Sequence, residues 1–539
     1  MRLSSLFFLV FRFLLPPSII FTVLIYTYPA VQNCAFPEAK AAQSTCFLEP
    51  SQSGAAAPAQ IAPFRLLALG DPQLEGDTSL PDPRAPLFPS LLRFRREVVD
   101  GGLKGVPSSL KKAAKDLVTD DVPRVLRSYR KRLDLFGNDY YLAHIYRSIR
   151  WWTQPTHTVV LGDLLGSQWI DDEEFARRTE RFWKRVFKGA ERVPEEVMGR
   201  HDTRVGSEMD SAPGVEGRED WKEWVNWLIN VAGNHDIGYA GDINSKRIER
   251  FEKAFGRTNW DIRFQMPTNA STSSESAFPP LTASTPELQL IVLNSMNLDS
   301  PAWQKEAQQE THAFLNSHIG RQSRSEDTTI LLTHIPLHKE AGVCVDGPFF
   351  EFFPDGQGGG IKEQNHLSSE GSKVILDGLF GPEEGNSAAK GRGIILNGHD
   401  HEGCDVYHYR SEDSNSQEQE NTNSLWTVSR YPSASSFVND EDIHGIREIT
   451  VRSMMGSYGG NAGLLSAWFD EDDRRWKFEY ATCMLGVQHI WWAAHVLDLV
   501  VVLFGLSSLL AYLVESELSE PAWGRRSVAS ARVGKFKTS

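Results

Sequence analysis

Cysteine is scarce. Five in 539 residues, none in a CxxC pair, exclude a disulfide-scaffolded fold and the common zinc-ribbon spacing. Basic residues are outnumbered, 56 Lys and Arg against 70 Asp and Glu, for a formal charge of -14. General nucleic-acid binding needs a basic face to neutralise phosphates, so nucleic acid is not an expected partner. There is no internal repeat, and long apolar runs are confined to the two ends of the chain. What remains is 41% apolar and 11% aromatic, enough for one large core with insertions or for two ordinary domains.

The five cysteines leave their pairing open. Cys34 and Cys46 flank an Ala-rich stretch and could pair in an oxidising compartment, or stand as two free thiols. Cys344, Cys404 and Cys483 show no pattern.

The terminal apolar runs read as membrane anchors. Leu6 to Tyr28 is interrupted by Arg12 and Pro16-Pro17, exceeds a usual signal-peptide core and is followed by no A-x-A site. An uncleaved anchor over 1–29 is therefore expected, followed by a linker over 30–63. Trp491 to Leu513, within a helix expected at 490–514, holds about the 20 apolar residues that span a bilayer. Asp498 is its only acid, and Trp491 and Trp492 stand at its start, where indoles favour the interface. The tail 515–539 carries Arg525, Arg526, Arg532, Lys535 and Lys537, and positive flanks stay cytoplasmic. Residues 64–484 would then be lumenal, in keeping with a glycosylation acceptor at Asn269-Ala270-Ser271. Lys535-Phe536-Lys537-Thr538-Ser539 resembles the dilysine signals by which coat proteins return cargo from the Golgi to the endoplasmic reticulum.

Between the anchors, five short apolar runs each stop at a polar cluster. Phe64–Leu69 runs into Gly70-Asp71, and Thr158–Leu161 into Gly162-Asp163. Leu228–Ala232 runs into Gly233-Asn234-His235-Asp236, Thr329–Leu332 into Thr333-His334, and Ile394–Leu396 into Asn397-Gly398-His399-Asp400-His401. Runs of this length and composition are buried strands, and the polar residues fall at their C-terminal ends, where layered α/β folds place ligand sites. Helices are expected at Tyr140–Trp152 and Asp171–Phe187. Late strands are expected at Ile446–Arg452, Leu464–Phe469 and Trp476–Tyr480, with surface insertions at 201–220, 268–287 and 411–425.

Singly, each cluster is weak: an Asp after a strand is often a helix cap, and a lone His is more often structural than a ligand. Five in this order describe a two-metal site. Two divalent ions about 3.5–4 Å apart clamp a phosphoryl group, and a shared carboxylate lowers the repulsion between them. Asp163 is the candidate bridge. Carboxylate, amide and imidazole donors without thiolate suit Mn first, or Fe or Zn.

These motifs resemble the calcineurin-like metallophosphoesterase superfamily, from about Phe64 to Tyr480. The resemblance implies a four-layer αββα sandwich, here flanked by two transmembrane helices. It implies that Asp71, Asp163 and His401 hold one metal, and Asp163, Asn234, His334 and His399 the other. His235 would act on the phosphate as acid or stabiliser. The superfamily usually has Asp-x-His at the first motif, whereas this chain has Asp71-Pro72-Gln73, so Gln73 is a doubtful ligand. That substitution, Asn138-Asp139-Tyr140-Tyr141, the run Asn397 to Cys404 and Arg452-Ser453-Met454-Met455-Gly456 resemble a eukaryotic membrane-bound branch. The branch removes ethanolamine phosphate from a mannose of glycosylphosphatidylinositol (GPI) anchors. The resemblance implies a GPI-anchored glycolipid or protein substrate, and residence in the endoplasmic reticulum with cycling through the Golgi. Two alternatives stand beside it: a phosphomonoesterase or nucleotidase of the same fold, and a non-catalytic cargo receptor.

One feature belongs to none of these. Arg84 to Leu133 carries thirteen Lys and Arg against five Asp and Glu, within an insertion expected at 78–135. It reads either as a solvated insertion or as an amphipathic element lying against anionic headgroups.

Overall fold

The computed structural model describes residues 2–39, 61–76, 85–101, 106–198, 224–265, 286–319, 326–383, 386–390, 392–410, 426–431, 444–486 and 488–519. Asn269, Cys46, Lys535 and Lys537 lie outside them. The chain forms two compact units, one of residues 29–485 and one of residues 1–28 with 486–539.

In the larger unit the strands are, in chain order, β1 (Phe64–Leu69), β2 (His157–Val160), β3 (Glu191–Arg192), β4 (Trp227–Asn230), β5 (Trp260–Gln265), β6 (Glu287–Val292), β7 (Thr328–Leu332) and β8 (Phe350–Phe352). There follow β9 (Ile361–Gln364), β10 (Pro382–Glu383), β11 (Asn386–Lys390), β12 (Gly393–Asn397), β13 (Cys404–Arg410), β14 (Thr427–Arg430), β15 (His444–Thr450), β16 (Asn461–Asp470) and β17 (Arg475–Met484). Six build one sheet in the order β17-β16-β1-β2-β4-β3, and seven build another, β14-β13-β15-β12-β7-β6-β5. Each sheet has a parallel run, β1-β2-β4-β3 and β6-β7-β12-β15, with antiparallel strands beyond it: β16 and β17 in the first sheet, and β5, β13 and β14 in the second.

The two sheets share one core. Leu66, Ala68, Val159, Ile229 and Leu465 of the first pack in a single cluster with Leu290, Ile330, Leu332, Ile394, Leu396 and Ile449 of the second. Burying a Leu or Ile side chain of this kind is worth about 1.5–3 kcal/mol, so this shared layer holds the sheets face to face. The strands are buried on their other faces too, which is why they read as continuous apolar runs rather than alternating ones. The C-terminal half of helix Val122–Thr153 packs on β16. Phe380, from helix Ser369–Phe380, sits over Gly393 of β12. The result is the expected helix–sheet–sheet–helix sandwich.

Two cystines brace this unit. Cys34 pairs with Cys483 of β17, and Cys344 with Cys404 at the start of β13. Of the two readings left open for Cys34, neither a pair with Cys46 nor a free thiol holds: its partner lies 449 residues away and cannot be read from local spacing.

In the smaller unit, Leu3–Tyr26 and Gln488–Leu518 are long and apolar enough to cross a membrane. They pack side by side, with Gly505 against the Phe11 ring. Asp498 is met there by Ser18 and Thr22 hydroxyls at 2.5 and 2.8 Å. An acid among apolar side chains needs such donors.

Candidate metal centre

The site forms where strand ends of both sheets meet. Asp71 follows β1, Asp163 follows β2, and Asn234-His235 follows β4, all in the first sheet. His334 follows β7 and His399 with His401 follows β12, both in the second. The turns that carry them are tight. Asp71, Gln73, Asp163 and His399 all have positive φ, between 40° and 73°, a conformation that side-chain-bearing residues seldom adopt and that gathers at functional sites. Glycines make the close approaches possible: a Cβ on Gly162 would meet His334 Nδ1 at 2.2 Å.

Hydrogen bonds link each turn to the next. The His399 N–H donates to Asp71 Oδ1 at 3.0 Å, the His235 N–H to Asp163 Oδ1 at 2.9 Å, and the Gln73 N–H to the Asp163 carbonyl at 2.8 Å. Asp236, 1% exposed, accepts from the N–H groups of Gly233, Leu164 and Leu165. The Ser453 hydroxyl donates to the Asp71 carbonyl, and the Ser453 N–H to that of His401.

Donor atoms converge in two groups, Asp163 with His334 and His399, and Asp71 with Asp163 and His401; within each group they lie within 4.8 Å of one another. Asp163 belongs to both. Asn234 joins the first group through Oδ1, 3.0 Å from His334 Nε2. The imidazoles are oriented from behind. His334 Nδ1–H donates to the Leu161 carbonyl at 2.7 Å, and His399 Nε2–H to the Gln364 carbonyl at 2.9 Å. In each ring the other nitrogen is left to face the carboxylates. Gln73 points inward, its amide nitrogen 2.9 Å from Asp163 Oδ2 and 3.1 Å from His401 Nε2. Turning that amide over would present its oxygen instead. His235 stands at the mouth, 3.7 Å from Asp163 Oδ2, with no hydrogen-bond partner on its buried Nδ1.

Electrostatics explain what such a cluster asks for. Burial pushes the Asp71 carboxyl up to about 8, helped by the nearby Asp163 charge. Burial would raise Asp163 too, but His235, His334 and His399 around it hold it below the usual carboxylate range. His334, against its burial, is raised to about 9 by Asp163 and Asp71. Burial and the neighbouring His334 lower His399 to about 3; burial likewise lowers His401. A proton on His334 therefore sits where two oxygens and a ring nitrogen converge, a place a divalent cation fits with more charge. Oxygen and nitrogen donors without thiolate match Mn, Fe or Zn.

Above these groups opens a cavity of about 540 Å³. Trp169, Tyr239 and Tyr458 line it together with Asp346, Glu363 and Glu402.

Sequence reasoning missed the supports. Asp236 sits inside the Gly233-Asn234-His235-Asp236 motif, but nothing in the sequence shows that it ties two loops. Glu448 gave no signal. It is fully buried and accepts from the Leu337 N–H at 2.8 Å, Asn397 Nδ2 at 2.6 Å, Lys339 Nζ at 2.9 Å and His408 Nε2 at 2.6 Å. Leu337 lies three residues after His334 and Asn397 two before His399, so one carboxylate backs both loops.

Facing sheets with carboxylate, amide and imidazole donors at their strand ends define the class, a metallophosphoesterase. No protein-family model matches the chain. It is 34% identical to Protein TED1 of Saccharomyces cerevisiae over 418 residues, 71% of this chain and 79% of that protein. An uncharacterised Schizosaccharomyces pombe protein is 27% identical over 68% of this chain and 79% of its own length. Metallophosphoesterase 1 of Macaca fascicularis is 25% identical over 51% of this chain and 57% of its own. The chain belongs to the metallophosphoesterase family that includes these proteins.

Proposed function

We propose that this protein is a two-metal phosphodiesterase that removes ethanolamine phosphate from a mannose of GPI anchors in the early secretory pathway. The observation that carries the catalytic part is Asp163, common to both donor groups. Two divalent ions, with manganese the first candidate, would supply Lewis acidity toward the phosphoryl oxygens and an acidified water as nucleophile. The chain's own groups do the rest. Asp71, Asp163, Asn234, His334, His399 and His401 would hold the ions, and the Leu161 and Gln364 carbonyls fix which ring nitrogens are offered. His235, at the mouth and half-exposed, reaches toward the phosphate and gives its proton to the departing mannose oxygen. An alkoxide is a poor leaving group, so that proton carries weight.

The substrate rests on resemblance. Besides the run that holds His399 and His401, two of the stretches that carry it touch this site, with a third linked to it through Arg181. Gln73 touches Asp163 and His401. Ser453 holds the Asp71 loop. Asp139 binds Arg181, which in turn donates to the Glu75 carbonyl. The lumenal orientation, the retrieval signal at Lys535 and Lys537 read by coat proteins, and residence in the endoplasmic reticulum belong to the same proposal.

The test is to incubate the purified full-length protein with defined GPI glycans and manganese and to assay free phosphoethanolamine. Release that Asp163→Asn abolishes supports the reading. Hydrolysis of phosphomonoesters without any phosphoethanolamine from the glycan would refute it.

A further inference from the structure

The basic segment forms three helices, Pro89–Gly101, Val106–Asp116 and the N-terminal part of Val122–Thr153. Among the described residues they leave a long row of apolar side chains exposed. Along the long helix, Val122, Leu126, Tyr129, Leu133, Phe136 and Tyr140 are all exposed, with Leu126, Tyr129 and Leu133 at 63%, 59% and 57%. Their spacing of 4, 3, 4, 3 and 4 keeps them on one face. At 1.5 Å per residue the stripe is about 27 Å long. On the two shorter helices Leu91, Leu92, Val99 and Leu110 are exposed as well.

Cations border this surface. Arg130 and Arg132 flank the stripe, and Arg95, Arg96, Lys111, Lys112 and Lys115 lie exposed on the shorter helices. The same helix turns buried beyond the stripe. Leu142, Ile145 and Ile149 sit in the core, so the exposed half is a projecting part of a firmly held element.

We propose that this face docks on an anionic lipid surface. A solvated insertion needs no five-turn apolar stripe, and leaving one uncovered invites association. A second copy of the chain fits poorly, because a stripe-to-stripe pair would set Arg130 and Arg132 against their own images. Anionic headgroups fit both features: acyl boundaries take the apolar row and phosphates take the flanking cations. A chain with two helices apolar enough to span a bilayer has such a surface at hand. The proposal is independent of what the metal centre hydrolyses.

The experiment uses the full-length protein in nanodiscs of phosphatidylcholine, with and without phosphatidylserine. Hydroxyl-radical footprinting reads the side-chain exposure of Leu126, Tyr129, Leu133 and Phe136. These residues should become several-fold less reactive in the anionic discs, with reactivity returning at high salt. Each Lys or Arg near such a surface is worth about fivefold in binding. Arg130→Gln/Arg132→Gln should therefore weaken docking by about 25-fold. Leu126→Glu/Leu133→Glu should abolish it with an unchanged melting profile, since both positions are exposed. Equal reactivity in the two lipids would overturn the proposal. So would protection that requires two copies per disc, which would mark a protein interface.

Discussion

Glu448 is the support whose removal should be felt farthest. It is ionised in a fully buried position because Lys339, 1% exposed, and His408 hold its carboxyl below the usual range against the burial that raises it. Glu448→Gln keeps an oxygen for the Leu337 N–H and Asn397 Nδ2. It places an amide NH₂ against Lys339 Nζ, now 2.9 Å from a donor rather than an acceptor. Stranding one partner of a buried ion pair costs about 3–5 kcal/mol. Adding Lys339→Met to Glu448→Gln removes the stranded ammonium, and His408 can accept from the new amide. The double variant should then recover about 2 kcal/mol or more, a non-additivity typical of groups in one network. Thermal melts of the detergent-solubilised protein, wild type, both single variants and the double, give the cycle. Manganese titration of the same four should show weakened binding in Glu448→Gln, because the loops of His334 and His399 lose their common anchor. A double variant that melts no higher than Glu448→Gln would show that the ammonium is not the cost.

His235→Ala should keep the metals and lose about 10²–10⁴ in rate, with a larger loss on an alkyl diester than on a nitrophenyl ester; equal losses, measured by steady-state kinetics, would remove it from the acid role. The metal-free protein should lose stability as pH rises from about 6.5 to 9. His334, raised to about 9, contributes most below its unfolded value of 6.5, and Asp71, raised to about 8, is still protonated when the unfolded carboxyl is not. Melts in chelator across that range check this, and added manganese should flatten the slope because a cation takes over from both protons. Gln73→His should raise metal affinity, more for zinc than for manganese, because Gln73 already faces Asp163 and His401; an unchanged titration would mean that position 73 is not a ligand.

The strand ends are legible because each central run is apolar on both faces and stops at a Gly, Thr or Asn within a polar cluster. β1 falls at Phe64–Leu69 as expected, and the runs before Asp163, Asn234, His334 and His399 lie within one or two residues of β2, β4, β7 and β12. β5 was missed although Trp260, Ile262 and Phe264 alternate with polar residues, the period-2 signal of a strand. β6 begins at Glu287, where a surface insertion was expected to end. The described part of the basic insertion is mostly helical, and helix Val122–Thr153 runs through residue 135, so the expected end there marks no structural boundary. Cystine pairing and the role of Glu448 depend on contacts between residues far apart in sequence, and no local pattern encodes those.

The hydrogen bonds around the metal centre explain why the motifs must come from both sheets. Asp71 holds the His399 N–H, so the end of β1 is tied to the end of β12 across the gap between sheets. Gln73 ties β1 to β2, Asp236 and Asp163 tie β2 to β4, and the Gly398 N–H returns to the His334 carbonyl, joining β12 to β7. His334 closes the circuit on the Leu161 carbonyl beyond β2. Every turn is therefore held by its neighbours before any cation arrives, and the cost of the left-handed residues at 71, 73, 163 and 399 is met by that circuit. Cations placed at the centre would bind ligands from both sheets at once. Their binding free energy would then add to the docking of one sheet on the other, whereas a site built on a single sheet would leave that interface untouched.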